Sequence, residues 1–396
     1  MEAERTHVSR AMSHVRHLAE TIGPRGSTSA QEREAAEYVR GVLDGLGLSP
    51  RVQPFTSAVS AWRPYALAVA LAILAVAIYP IGGRVTAAIA SVLVAAALVS
   101  ALLEMNFTAN PLRWLLPKGR SQNVIAVVPP AGEVKRRAVL VGHLDTHRTP
   151  FLFGSVARLR LFGILSPAGF GGMAGLVGLF AAGAVWQEPA LYYASLAPTA
   201  VLLLMLPMIV QPDFTPYTAG ANDNATGAAV VLALTQRLKE APLSNTEVWT
   251  VHTGCEEVGC YGADAFLREH RERLDGASFI TIDTVGGPGS GPCYLTREGT
   301  TKRYHSDPGL ITLAGEIAAE RPELGAYAKA MTLPAYTEGA IGIKYGLPSI
   351  TFVNFRPDGV LPNWHRPDDT VEHIDADVLA RSEEFVWQLL CRIDAR

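Results

Sequence analysis

Residues 247–262 read "EVWTVHTGCEEVGCYG", and the first half of this stretch has the apolar, β-branched composition of a buried strand. That reading puts Glu256 and Glu257 side by side at a strand end, between Gly254 and Gly259. Adjacent acids are ordinary on a solvated surface. In an open α/β sheet, however, ligands bind at the strand ends. Two like charges on so tight a turn therefore raise the question of a cation in front of them.

Around this stretch the sequence alternates strand and helix patterns. "PRVQPF" (50–55), "NVIAVVPP" (123–130) and "AVLVGHLD" (138–145) read as strands, the last one buried. "PPAGEVKRR" (129–137) is short enough to be a hairpin turn joining the second of these to the third. "SAQEREAAEYVRGVLDGLGL" (29–48) opens with a capping box, Ser29 with Glu32, and ends at Gly45 and Gly47. "TGAAVVLALTQRLKE" (226–240) is a helix with basic residues in its last turn. "FITIDTVGG" (279–287) and "LPSITFVNF" (347–355) are further strands, and residues 375–393 form a closing amphipathic helix. The expected fold is α/β, a mixed β-sheet flanked by helices.

Four apolar stretches interrupt this pattern, at 65–83, 84–104, 168–186 and 190–210. Each is about as long as a bilayer core requires, roughly 20 residues, and almost free of charge. Soluble core helices usually keep a polar stripe, which these lack. They read as two transmembrane α-helical hairpins inserted into the α/β domain. The expected division is 1–62, 105–160 and 212–396 for the catalytic part, with hairpins at 63–104 and 161–211. Both hairpins return the chain to the side it left, where Arg63, Arg113, Lys118, Arg120, Arg158 and Arg160 flank the spans against only Arg84 in the short turns. The positive-inside bias makes the chain an integral protein of the cell membrane, with four spans and the polar domain in the cytoplasm.

The 396 residues carry a net charge of −3 with no basic block, which argues against a nucleic-acid partner. Cys255, Cys260, Cys293 and Cys391 form no paired metal or disulfide spacing. Cys255 beside the glutamates lacks an identifiable base and reads as a small packed residue. The opening segment, residues 1–20, is polar and has no signal-peptide core.

Several possible metal ligands fall at or just past predicted strand ends. "GHLDTH" (142–147) offers His143 and, two residues on and on the same face, Asp145 as the acceptor a ligating histidine needs. "GANDNATG" (220–227) displays Asp223 ahead of a helix, "ITIDTVGG" ends in Asp283, and "PNWHRPDDT" carries His365 in a proline-bounded loop. His143, Asp223, Glu257, Asp283 and His365 are more donors than one tetrahedral catalytic ion uses, and imidazole with carboxylate suits zinc. Two Zn²⁺ ions sharing one carboxylate, most simply that of Asp223, account for the number. Glu256 is then spare to take a proton from water as general base. His147, His252, His305 and His373 read as ordinary core or surface residues.

With these residues in order, the sequence resembles the di-zinc aminopeptidase family, which includes bacterial leucyl aminopeptidases, aminopeptidase Y and, more distantly, glutamate carboxypeptidase. The resemblance covers about residues 10–58, 120–150 and 218–392. It rests on "LAETIGPRGSTSAQEREAAEYV", "GHLDT", "GANDNATG", "CEEVGCYGADAF", "IDTVGG" and "WHRPDDT" together. It implies one zinc on His143, Asp223 and Asp283, a second on Asp223, Glu257 and His365, Glu256 as general base, and Asp145 orienting His143. The activity implied is hydrolysis of the N-terminal bond of a peptide substrate, here at the surface of the lipid bilayer. Two features depart from the family: Thr337 and Glu338 stand where Ser-Asp is common, and an insertion separates "GHLDT" from "GANDNATG". Alternative readings are a glutaminyl-cyclase-like acyltransferase, a non-catalytic membrane scaffold or chaperone, and, more weakly, a transporter.

Overall fold

The computed structural model describes residues 10–333 and 335–396. The first nine residues, part of the segment read as lacking an export signal, lie outside the described residues. The chain folds as two compact units, one formed by residues 1–59, 118–148 and 217–396, the other by 60–117 and 149–216.

The first unit is built on a nine-stranded sheet. Its strands are β1 (Arg51–Ala58), β2 (Lys118–Val128), β3 (Arg136–His143), β4 (Thr246–Thr253), β5 (Ser278–Asp283), β6 (Cys293–Glu298), β7 (Tyr304–His305), β8 (Tyr327–Ala330) and β9 (Ser349–Val353). They lie in the order β1-β2-β4-β3-β5-β9-β6-β7, with β8 beside β6. The central four, β4, β3, β5 and β9, are parallel. Strands β1 and β2 extend the sheet antiparallel on one side, and β6 does so on the other. Central parallel strands are covered on both faces, which is why Val139, Leu140 and Val141 of β3 are fully buried in succession.

The helices of this unit are α1 (Ala30–Gly45), α6 (Gly227–Glu240), α7 (Tyr261–His270), α8 (Pro308–Glu320), α9 (Glu338–Lys344) and α10 (Ala376–Ala395). Helices α1, α6, α8 and α10 share the main apolar core on one face, while α7 and α9 pack on the other strand surfaces. Ser29 caps α1 by accepting from Glu32 N at 3.1 Å. The reciprocal bond of the expected capping box is displaced by one residue: the Glu32 carboxylate accepts from Thr28 N and reaches across to Cys255 N.

The expected hairpin between the second and third strands is not formed, because β4 lies between them. The connection 129–135 instead runs beside the segment entering β4, with Ala131 N, Gly132 N and Lys135 N donating to the carbonyls of Leu243, Ser244 and Asn245. A short link with turn residues fits a tight hairpin locally, but β3 instead pairs in parallel with β4 on one edge and β5 on the other. Strands β1 and β3 nevertheless run in the same direction, so their C-terminal ends share one edge of the sheet.

His252, on β4, is fully buried with Nε2 3.1 Å from the carbonyl of Ala228. Burial pushes its imidazole down to about 4. The folded state thus binds the proton less well than the unfolded chain, whose histidine titrates near 6.5. Its contribution is complete above pH 6.5 and is lost as pH falls toward 4, a change of roughly 3 kcal/mol. Denaturant midpoints should drop between pH 7 and pH 4.5 in the wild type and less so in His252→Gln; equal slopes would show that this residue is not responsible.

The second unit contains α2 (Arg63–Ile78), α3 (Gly83–Met105), α4 (Val156–Trp186) and α5 (Pro189–Val210). Three of its helices are long and apolar enough to cross a membrane, spanning Gly83–Met105, Val156–Trp186 and Pro189–Phe214, whereas Arg63–Ile78 is shorter. Helix α4 starts earlier than the apolar stretch at 168, because Ser155 caps it by accepting from Arg158 N. Small residues, among them Ala68, Ala72, Ala75, Ala90 and Ala97, are buried along the packed faces and let the helices approach closely. At the ends of the helices Arg63 and Ser60 both donate to Asp213 at 2.6 Å, and Arg113 and Asn110 donate to the Glu104 carboxylate. Outside this unit, Val52 and Val134 are the only exposed large apolar side chains among the described residues.

Candidate active site

The parallel register brings the C-terminal ends of β4, β3 and β5 to one edge of the sheet, with His143 beside Thr253 in the ladder. His143 and Asp283 are the last residues of their strands. Asp223 sits in the loop Ala221–Thr226 that leads into α6, and His365 in the loop before α10. All five expected ligands converge. His143 Nε2 lies 3.4 Å from Asp223 Oδ1 and 3.8 Å from Asp283 Oδ1. His365 Nε2 lies 3.2 Å from Asp223 Oδ2 and 3.2 Å from Glu257 Oε2. The two oxygens of Asp223 thus each face a different histidine.

The glutamate turn is set by an acid at the end of the neighbouring strand, β3. Beyond β4, Cys255 adopts a left-handed conformation with φ 56°, and Glu256 N and Glu257 N both donate to the Asp145 carboxylate, at 3.0 and 3.1 Å. The Ser27 hydroxyl adds a third bond to that carboxylate at 2.6 Å. Asp145 also receives His143, whose Nδ1 is 3.1 Å from its carbonyl oxygen and 3.5 Å from Oδ1. One residue therefore orients the histidine and fixes the backbone of both glutamates. Thr284 and His365 share the left-handed conformation of Cys255, at φ 54° and 55°. Non-glycine residues in that region are uncommon and gather where function demands a particular side-chain direction.

The Asp223 loop is held from four sides. Asp369 accepts from Asn222 N and Asp223 N. Asn224 bonds Ile282 O, Gly227 N and Thr284 N. Asn222 bonds Gly286 N and Pro362 O. Arg25, fully buried, donates to the carbonyls of Leu18, Gly23, Leu144, Ala219 and Gly220. Gly227 permits the close approach of the loop to β5, since a Cβ there would lie 2.2 Å from Ile282 O.

The charges of this site are mutually adjusted. Despite burial, Asp223 is held well below the ordinary carboxylate range by the hydrogen bonds from His143 and His365. His365 is raised to about 9 against burial by Glu257 and Asp223. Burial lifts Glu257 to about 8, assisted by Asp223. Burial also lifts Glu256 well above its usual value, with Glu257, Asp283 and Glu338 adding to the shift and His143 opposing it. Without a compensating cation this many buried carboxylates are costly.

Two overlapping groups, His143/Asp223/Glu257 and His147/Glu257/His365, have ligand atoms within 4.8 Å of one another and could hold a metal ion. Ligand atoms around a tetrahedral ion with bonds of 2.0–2.1 Å stand about 3.3 Å apart, close to the separations at Asp223. Glu257 Oε1 is buried with no hydrogen-bond partner among the described residues, which suits an acceptor meant for a cation.

Asp369, Arg25, Ser27 and Glu32 contribute to the site without having been singled out for it, since their partners are mostly backbone groups that leave no residue-type signature. His147, read as ordinary, stacks on His365 with ring centroids 3.7 Å apart. His305 and His373 are exposed. Buried Cys255 packs with Ala58 and Val258. Thr337 caps α9 and donates to Glu298, leaving Glu338 buried beside the site.

Residues 208–390 match the model of peptidase family M28. Aminopeptidase YwaD of Bacillus subtilis is 26% identical over 185 residues, which are 44% of this chain and only 38% of that protein. Among solved structures, a zinc aminopeptidase from Bacillus subtilis superposes with a TM-score of 0.58 at 15% identity, over 98% of this chain and 95% of that one. A glutaminyl cyclase of Fimbriiglobus ruber superposes with a TM-score of 0.57 at 14% identity, over 97% and 94%. At these identities the structural likeness is one of fold. The family match takes in Asp223, Glu256, Glu257, Asp283 and His365, and over this segment the chain is similar to the M28 peptidases.

Proposed function

We propose that this chain is a membrane-bound zinc exopeptidase that removes N-terminal residues from peptides. The observation that carries the reading is the Asp223 carboxylate, with one oxygen 3.4 Å from His143 and the other 3.2 Å from His365. His143, Asp223 and Asp283 would hold one ion, and Asp223, Glu257 and His365 the other. Zinc so held supplies Lewis-acid polarisation of the scissile carbonyl and acidifies water.

The chain's own residues do the rest. Glu256, whose carboxyl is raised by burial, accepts a proton from the attacking water and delivers it to the departing amine, so that one water is consumed as the C–N bond breaks. Asp145 keeps the Glu256 and Glu257 amides in place and holds His143 through Nδ1, leaving Nε2 directed at Asp223 and Asp283.

The helices of the second unit are read as two hairpins, four spans in all, with α2 the shortest. Their exposed apolar side chains, such as Ile81, Val92, Ile164 and Leu204, would face lipid. The arginines flanking the spans favour the cytoplasm for the polar unit. The apolar helices carried by the same chain favour a peptide substrate at the bilayer surface.

The reading is tested with detergent-purified protein: zinc content together with release from a panel of aminoacyl-coumarin substrates, and carbonate extraction of the membranes. About two zinc per chain, turnover, and retention in the carbonate pellet are expected. Absence of metal would remove the enzyme reading, release by carbonate the membrane reading, and cyclisation of N-terminal glutamine without peptide hydrolysis would favour an acyltransferase.

A further inference from the structure

Cys260 closes the glutamate turn and opens α7, and it does so in the left-handed region, at φ 52°. An L side chain in that region costs free energy, and residues held there gather where a side chain must point in one direction. The place just before a helix usually goes to a serine, threonine, aspartate or asparagine whose oxygen accepts from the first turn. Cys260 makes no such cap. Its thiol turns back instead, and Sγ donates to Glu256 Oε1 at 3.3 Å. Among the described residues no other hydrogen bond to the Glu256 carboxylate is formed.

The turn presents both partners from a fixed backbone. Glu256 O accepts from Gly259 N and Cys260 N, each at 2.8 Å, and Tyr261 N donates to Cys255 O at 3.0 Å. Glu256 N is held by Asp145. Cys260 is fully buried, and burial pushes its thiol well above the usual range, with Glu256 and Glu338 adding to the shift. The sulfur therefore keeps its proton and is the donor, since a carboxylate only accepts. Cys255, at the other end of the turn, directs both its amide and its thiol to Glu32.

We propose that Cys260 is a positioning residue for Glu256, its thiol holding Oε1 so that Oε2 is the oxygen that takes the proton from water. The inference rests on the general-base reading above. A glutamate side chain has several rotamers, and a base that must be gathered from them at each turnover loses part of its effectiveness. One bond at Oε1 is enough to select among them here, because the backbone of the turn is already fixed. The thiol neither meets substrate nor exchanges a proton in the reaction; it acts through Glu256. A packing role at this position would need only volume. A positioning role needs a donor, which serine supplies and alanine does not.

The test compares Cys260→Ala and Cys260→Ser with the wild type as purified full-length protein, reading kcat, KM and zinc content on the aminoacyl-coumarin panel. Cys260→Ala is expected to lower kcat about 10-fold with KM and zinc content unchanged, and Cys260→Ser to return kcat to within about 3-fold of the wild type. An alanine variant within about 2-fold of wild-type kcat, or a serine variant no better than the alanine one, would overturn the role while leaving Glu256 as the base. A fall in zinc content that matches the fall in kcat would overturn it as well, making the residue structural. A Glu256→Gln variant that keeps its activity would end the general-base reading and this inference with it. Should the variants not fold, or the panel hold no substrate, infrared spectra of the wild type and Glu256→Ala decide. Removing the carboxylate is expected to move the S–H stretching band of one cysteine to higher frequency; bands that coincide in the two spectra would overturn the bond itself.

Discussion

Glu256→Gln is expected to lower kcat by about 10²–10⁴-fold, the range over which a positioned general base contributes, while zinc content stays at the wild-type level. The reason is geometric. Glu257 reaches His365 at 3.2 Å, whereas among the described residues no histidine forms an ion pair with the Glu256 carboxylate, whose Oε1 accepts from the Cys260 thiol at 3.3 Å. Glutamine preserves the volume and the backbone bond to Asp145 but cannot take up the proton. KM should move little, because the missing interaction belongs to the transition state. A variant that loses its zinc along with its activity would make Glu256 a ligand. A variant that keeps its activity would place the base elsewhere.

Asp223→Ala should have the larger effect on metal, emptying both positions rather than one. The Asp223 carboxylate has one oxygen toward His143 and the other toward His365. Its loop would remain anchored by Asn222, Asn224 and Asp369, so the fold should survive. Zinc that binds only the folded state stabilises it by about 2.7 kcal/mol at a hundredfold excess over Kd. The wild type should therefore show a rise in unfolding temperature when zinc is restored after chelation, and Asp223→Ala should show none. If one zinc per chain remains in the variant, Asp223 serves one position only.

The contrast between these two acids also shows how far the sequence could be read. Strand ends, capped helices and apolar stretches were legible because each depends on residues within about a dozen positions. Ser29 does cap α1, the basic residues do lie in the last turn of α6, and β3, β5 and β9 occur where β-branched runs predict them. The five candidate ligands were legible for a related reason: a catalytic metal needs imidazole and carboxylate, and few other pressures put those groups just beyond apolar strands.

What lay beyond the sequence were contacts across long separations. The insertion of β4 between β2 and β3 is a pairing of segments far apart in the chain, which the turn that precedes β3 does not announce. The same holds for Asp145 beneath the glutamate turn, 111 residues away, and for Asp369 beneath Asp223, 146 residues away. Those bonds go to backbone amides, which every residue but proline offers alike, so no pattern of residue types announces them. His147 belongs with them, since its stacking on His365 exists only after two loops have met at the sheet edge. The sequence by itself determined which groups could hold a cation and where the chain turns apolar. Only the tertiary structure decided which acid faces both histidines and which one holds the glutamate backbone, because those contacts depend on direction and distance between parts of the chain that local chemistry does not connect.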